Sequence, residues 1–195
     1  SFYANKVVTG GEGGAVATND AVFAERVRYF RNLCFNPKQR FVHEDLGWNA
    51  RLSGMPATLI ASQLQRLDRL VEKKINIAQR YLSGLAGHPW LDFHPPSTVF
   101  STNTYWVFGV VLKEDAPFDA EELQQELRAL GVDTRRFFCP VHLQPLAKKY
   151  PITTFGKMSV SEKLWNRGIY LPSGLGNTTE EFDAVIEAMW RLVKK

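Results

Sequence analysis

The 195 residues are 45% hydrophobic and 23% charged, with a net charge of +4, the balance of a soluble globular chain of one or two small domains. No apolar run approaches the ~20 residues of a membrane-spanning helix, and no basic-then-apolar leader opens the chain. Cys34 and Cys139 stand too far apart for a CxxC metal or redox pair, so no metal site is expected and a reducing cytoplasm fits best. Basic residues are interleaved with Glu and Asp, and the runs Arg135-Arg136, Lys148-Lys149 and Lys194-Lys195 are too short for a polybasic tract. Neither a nucleic acid nor a membrane is therefore an expected partner.

The first fourteen residues set one lysine, Lys6, between a short aromatic β-like run and a glycine-rich turn, with a second β-like run, Ala15 to Thr18, behind it. Gly10, Gly11, Gly13 and Gly14 permit positive φ and close backbone approach, so the stretch reads as a tight strand-to-strand hairpin. A lysine whose tip is buried on such a backbone has its amine made nucleophilic by desolvation, as Schiff-base chemistry needs. Taken alone, a lysine beside a glycine turn is ordinarily a solvated loop residue. Asn19-Asp20 then opens a helix with Phe23, Val27 and Phe30 at helical spacing, followed by a loop from Asn32 to Arg40.

A single long helix is expected from about Pro56 to about Leu82. Pro56 suits a first helical turn, and Ile60, Leu64, Leu67, Val71, Ile75, Ala78 and Leu82 make one apolar stripe. Glu72-Lys73-Lys74 would lie on its wet side, and a helix this long would bridge two lobes. Gly84 and Gly87 close it, and a linker follows through Pro89, Pro95 and Pro96, carrying His88 and His94.

The remainder reads as a compact α/β unit. Tyr105 to Leu112 is a buried strand by its β-branched and aromatic content. Asp119-x-x-Glu122 is a capping box for a helix that runs to Leu130 and stops at Gly131. Val132-Asp133-Thr134 returns as a second strand, Ser161 to Arg167 forms a short helix and Gly168 to Leu171 a short strand. Thr178-x-x-Glu181 is another capping box, before a helix with Phe182, Val185, Ile186, Met189 and Val193 on one face.

Four blocks, in one order, resemble the DegT/StrS family of sugar aminotransferases, which use pyridoxal 5'-phosphate (PLP). They are Ser1-Phe2-Tyr3-x-x-Lys6 with Gly11-Glu12-Gly13-Gly14; Gly47-Trp48-Asn49-Ala50-Arg51; Thr134-Arg135-Arg136-Phe137-Phe138-Cys139-Pro140-Val141-His142-Leu143-Gln144; and Leu171-Pro172-Ser173-Gly174 with the last helix. The resemblance implies an α/β PLP-dependent transferase of fold type I, present as the end of the large domain (1–84, with the connecting helix) and the whole small C-terminal α/β domain (85–195). It implies that Lys6 forms the aldimine with the cofactor and also moves the proton, that Ser1 donates its hydroxyl to the cofactor phosphate, and that Asn49 reaches the phosphate in the partner of a homodimer with shared active sites. Arg51 would lie near the partner's active-site mouth. His142 would line the sugar-binding mouth, and Arg135 would either contact the nucleotide phosphates or brace the small domain.

The activity implied is amino transfer from L-glutamate to a keto-sugar nucleotide, of the perosamine type that makes 4-amino sugars. Some relatives carry histidine in place of this lysine and are dehydratases, a branch that Lys6 argues against. A full family member has most of its large domain ahead of the lysine, and this chain opens on Ser1 without Met, so it is expected to be the C-terminal half of such an enzyme. The alternative is a truncated non-catalytic remnant that serves as an assembly module of the same fold.

Overall fold

The computed structural model describes residues 1–150, 153–154 and 156–194, so Lys195 of the terminal lysine pair lies outside the described residues. The chain divides into two compact units, Ser1–Arg69 and Leu70–Lys195.

In the first unit, residues 1–18 do not form the expected hairpin. They make an irregular loop with one isolated parallel bridge, Tyr3 to Gly11. A strand needs a neighbour for its backbone donors and acceptors, and among the described residues none pairs with Ala15 to Thr18. Helix α1 (Ala21–Arg31) starts where expected, because the Asp20 carboxylate accepts from the Phe23 amide at 3.0 Å. Helix α2 (Gly54–Leu64) has Pro56 in its first turn.

The single long helix is in fact two: α3 (Leu67–Gly84) follows α2 after a Gln65-Arg66 turn. Leu64 and Leu67, on either side of that turn, are both exposed, so no burial holds the stripe continuous across it. The buried face of α3 is also rotated from the expected one. It runs through Lys74, Ala78, Tyr81 and then Leu85, while Val71, Ile75 and Leu82 are half-buried. Lys74, expected on the wet side, is therefore inside the second unit. Its ammonium donates to the Ser173 carbonyl and, at 3.3 Å, to the Ser173 hydroxyl. Burial pushes its pKa down to about 8.

After α3 the second unit continues as β1 (Leu91–Phe93), β2 (Phe108–Leu112), α4 (Ala120–Ala129), β3 (Arg135–Arg136), a 3-10 turn (Val141–Leu143), α5 (Pro145–Lys149), α6 (Ser159–Arg167), β4 (Gly168–Leu171) and α7 (Thr179–Val193). The strands form one antiparallel sheet in the order β1-β2-β4-β3. Both expected capping boxes are present, Asp119 with Glu122 and Thr178 with Glu181. Strand β2 starts later than expected because Tyr105 takes a left-handed φ of 48°, with its amide held by Asn103 Oδ1 at 2.8 Å.

The strand expected at Val132 to Thr134 likewise forms later, at Arg135–Arg136. The Val132 amide donates to Leu127 O at 2.9 Å and the Gly131 amide to Arg128 O at 3.0 Å, with Gly131 at φ 82°. That pair of bonds caps α4 and takes Val132 out of the ladder. The stretch read as linker holds β1, whose Leu91 lies opposite Leu112. His88 is buried against Trp90 and Trp190.

The core lies between one sheet face and helices α3, α4 and α7, with Tyr81, Leu85, Leu123, Leu127, Met189 and Leu192 meeting Phe108, Val110, Leu112, Ile169 and Leu171. Tyr81 stacks on Phe108 at 4.8 Å and donates its hydroxyl to Pro172 O at 2.6 Å. Among the described residues, no helix is long and apolar enough to cross a membrane.

Candidate functional site

The loop that carries Lys6 is closed by its own polar groups. The Phe2 amide donates to Gly13 O at 2.8 Å and the Gly10 amide to Phe2 O at 3.0 Å. The Thr9 hydroxyl donates to Phe2 O at 3.1 Å and accepts from the Gly11 amide at 2.9 Å. Two glycines supply backbone angles that other residues adopt only with strain, Gly11 at φ 84° and Gly13 at φ 125°. Gly10 acts differently: a Cβ there would stand 2.9 Å from Ile60 Cδ1 and from Pro56 Cβ, so its bare backbone is what lets the loop sit on α2.

Helix α2 also holds the loop with a reciprocal pair of hydrogen bonds. The Thr9 amide donates to Gln63 Oε1 at 3.1 Å, and Gln63 Nε2 donates to Thr9 O at 2.7 Å. Lys6 is half-buried at the turn, its amide bonded to Tyr3 O at 3.0 Å, and Ser1 Oγ accepts from the Tyr3 amide at 3.3 Å. The expected amine and the expected hydroxyl are thus on one closed loop. The sequence gives no sign of Gln63, which lies 54 residues from Thr9.

Asn49 and Arg51 also lie in the first unit, on a segment pinned to the end of α1. Trp48 and Ala50 donate their amides to Phe30 O and Arg31 O, at 3.1 and 2.9 Å, and the Leu33 amide donates to Trp48 O at 3.0 Å. Gly47 is obligatory here, since a Cβ would come within 2.6 Å of the Cys34 amide nitrogen and sulfur. Asn49 is exposed and pairs its backbone with Asn32, and the Arg51 guanidinium donates to Asn32 Oδ1 at 2.7 Å. A cavity of about 990 Å³ in this unit is lined by apolar residues such as Phe23, Phe30 and Trp48 and by Arg26, Arg28 and Arg31. Among the described residues, no carboxylate, thiol or imidazole lines it.

Arg135 and His142 lie in the second unit. Arg135 is exposed on β3, with its guanidinium carbon 4.6 Å over the Phe138 ring. His142, half-buried in the 3-10 turn, places Nε2 at 2.9 Å from Glu162 Oε1 on α6. That carboxylate fixes the ring's orientation, and it was not anticipated because it lies 20 residues further on.

The model of the DegT/DnrJ/EryC1/StrS aminotransferase family matches residues 1–190. The chain belongs to this family. It is 28% identical to GDP-perosamine synthase of Caulobacter vibrioides, over 97% of this chain and 50% of that protein. It is 33% identical to EpsN of Bacillus subtilis, a putative pyridoxal phosphate-dependent aminotransferase, over 98% of this chain and 49% of that one. Among solved structures it resembles S. venezuelae DesV in complex with a ketimine intermediate, with TM-score 0.80, 28% identity, and coverage of 100% of this chain and 50% of that one. The chain therefore spans about half the length of the curated relatives it matches. The fold is that of the PLP-dependent aminotransferases of this family, and PLP is the cofactor that membership indicates. The residues present fit it: a half-buried primary amine and a hydroxyl share one hydrogen-bonded loop.

Proposed function

We propose that this chain is the C-terminal half of a PLP-dependent sugar aminotransferase, which moves an amino group from L-glutamate to a keto-sugar nucleotide in perosamine-type 4-amino sugar synthesis. In this reading residues 1–84 end the large domain, with α3 as the connecting helix, and 85–195 form the small one. The enzyme is a homodimer with shared active sites, consistent with a cytoplasmic location.

Bound PLP would supply an electron sink for charge at the carbon that carries the amino group. The Lys6 amine anchors the cofactor, and once displaced its nitrogen takes and returns the proton at that carbon. Ser1 donates its hydroxyl to the cofactor phosphate, and Asn49 reaches the phosphate in the partner. Arg51 and His142 face the substrate, His142 with its ring held by Glu162, and Arg135 takes the nucleotide phosphates. The name of the Caulobacter relative favours a GDP-linked sugar.

The observation that carries this reading is the clamp of Gln63 on Thr9, which holds the Lys6 loop in one conformation at both a donor and an acceptor. Such fixing is what a reacting amine needs and what a solvated surface lysine does not. The test is release of 2-oxoglutarate from L-glutamate in the presence of a keto-sugar nucleotide. The chain alone should turn over little. Adding a polypeptide that supplies the other half of the relatives' length should give turnover that Lys6→Ala abolishes. Ready turnover by the isolated chain, or turnover of the assembly that survives Lys6→Ala, would contradict the proposal.

A further inference from the structure

The segment that carries Asn49 and Arg51 lies along the end of α1 as one arm of a short antiparallel pair. The Ala50 amide donates to Arg31 O at 2.9 Å and the Leu33 amide to Trp48 O at 3.0 Å, so Asn32 and Asn49 stand opposite each other between these two bonds. Opposed residues with no bond between them bring their side chains close on one side of the pair. The residue two further along the strand returns to that side and is within diagonal reach. That residue is Arg51, and its guanidinium donates to Asn32 Oδ1 at 2.7 Å. Asn32 is half-buried, whereas Asn49 and Arg51 are exposed.

The chain is bent sharply to present Asn32 in this place. Leu33 and Cys34, directly after it, take left-handed φ of 62° and 50°, angles that residues other than glycine adopt only where surrounding contacts hold them. Here the Asn32 and Cys34 amides both donate to Tyr29 O, at 3.1 and 3.0 Å. The Cys34 sulfur is buried against Gly47, where a Cβ would stand 2.6 Å from it. The acceptor for Arg51 therefore sits on fixed backbone.

The chemistry of that acceptor matters. A carboxylate would hold a guanidinium and also neutralise it, as Asp183 does for Arg80. A carboxamide oxygen is neutral, so it restricts the long side chain and leaves its charge and remaining donors for another group. Among the described residues Arg51 is in no ion pair. We propose that Asn32 is the positioning residue for Arg51, aiming its guanidinium at an anionic oxygen group of the substrate, a carboxylate or a phosphate. This rests on the sugar-aminotransferase reading, in which Arg51 faces the substrate, and adds the residue through which Arg51 is aimed.

Two measurements test it. In the assembly of this chain with a polypeptide that supplies the other half of the relatives' length, Arg51→Gln should raise one KM. It is the KM of L-glutamate if the group is a carboxylate, and that of the keto-sugar nucleotide if it is a phosphate. Asn32→Leu should raise the same KM about tenfold, as loss of one hydrogen bond to a charged group does, and change kcat by less than about twofold. The double variant should be no worse than Arg51→Gln alone, since both substitutions remove one interaction. In the 195-residue chain by itself, phenylglyoxal should modify Arg51 several-fold faster in Asn32→Leu than in the wild type. Asn32→Asp, which keeps an acceptor for the guanidinium, should restore the slow rate.

An unchanged KM in Asn32→Leu, additive losses in the double variant, or an Arg51 modification rate that ignores Asn32→Leu would each overturn the role of Asn32. Unchanged KM values in Arg51→Gln would overturn it as well, while Lys6-dependent turnover in the same samples would keep the aminotransferase reading. Turnover that survives Lys6→Ala would remove that reading, and the modification rates would still decide whether Asn32 holds Arg51.

Discussion

The two units are built on different terms. Leu70–Lys195 encloses a continuous core from three helices and a sheet, with residues such as Tyr81, Leu127 and Met189 fully buried. In Ser1–Arg69 the buried hydrophobic residues, among those described, are Val8, Cys34 and Ile60. Phe41, Leu46, Trp48, Met55 and Leu59 of that unit are exposed. Each large apolar side chain is worth roughly 1.5–3 kcal/mol when fully buried, so the first unit forgoes most of what holds the second. Its order comes instead from hydrogen bonds and close approaches: Gln63 on Thr9, Gly10 on α2, Gly47 on Cys34. The Lys6 loop is thus shaped locally, in a unit whose large apolar side chains are mostly exposed.

Substitutions can break this contrast. The largest effect is expected in the second core, where Leu127→Ala should cost about 3–4 kcal/mol in denaturant unfolding. Met55→Ala in the first unit should stay within about 0.5 kcal/mol, as an exposed change does. Equal costs would end the distinction between the units.

A second effect belongs to Lys74. Its folded pKa of about 8 lies below the ordinary 10.5, so between those values the unfolded chain binds more protons. Stability from this group therefore rises with pH through that window and is lowest below pH 8, where the buried ammonium is charged. Allowing for water near the amine, the rise is on the order of 2 kcal/mol. Lys74→Met should remove it, and identical pH profiles for variant and wild type would contradict the assignment.

A smaller effect falls on the loop. Gln63→Ala should cost about 1 kcal/mol and speed hydrogen exchange at the Thr9 and Gly11 amides. Unchanged exchange would mean that the loop holds its shape without the clamp.

Much of the second unit was legible in the sequence, because capping boxes, the Gly131 stop and the Gly168 strand are local signals. The errors came where a backbone group was claimed by something else, as when the Val132 amide capped α4 or the positive φ of Tyr105 delayed β2. The buried face of α3 was misjudged by one residue, since a lysine at position 74 outweighed the Ala78 and Tyr81 spacing that places it inside. The hairpin at the start failed because a β-like run forms a strand only beside another. For the candidate site, the glycine-shaped loop that carries Lys6 was readable from neighbouring residues. Gln63 and Glu162 were not, being brought to their partners from 54 and 20 residues away.

The most direct test of the central claim, that Lys6 is the cofactor lysine, is borohydride reduction of the PLP-treated chain followed by peptide mapping. The account predicts label confined to Lys6 and lost in Lys6→Ala. Label spread over surface lysines such as Lys38, Lys73 and Lys148, and unchanged in Lys6→Ala, would contradict it.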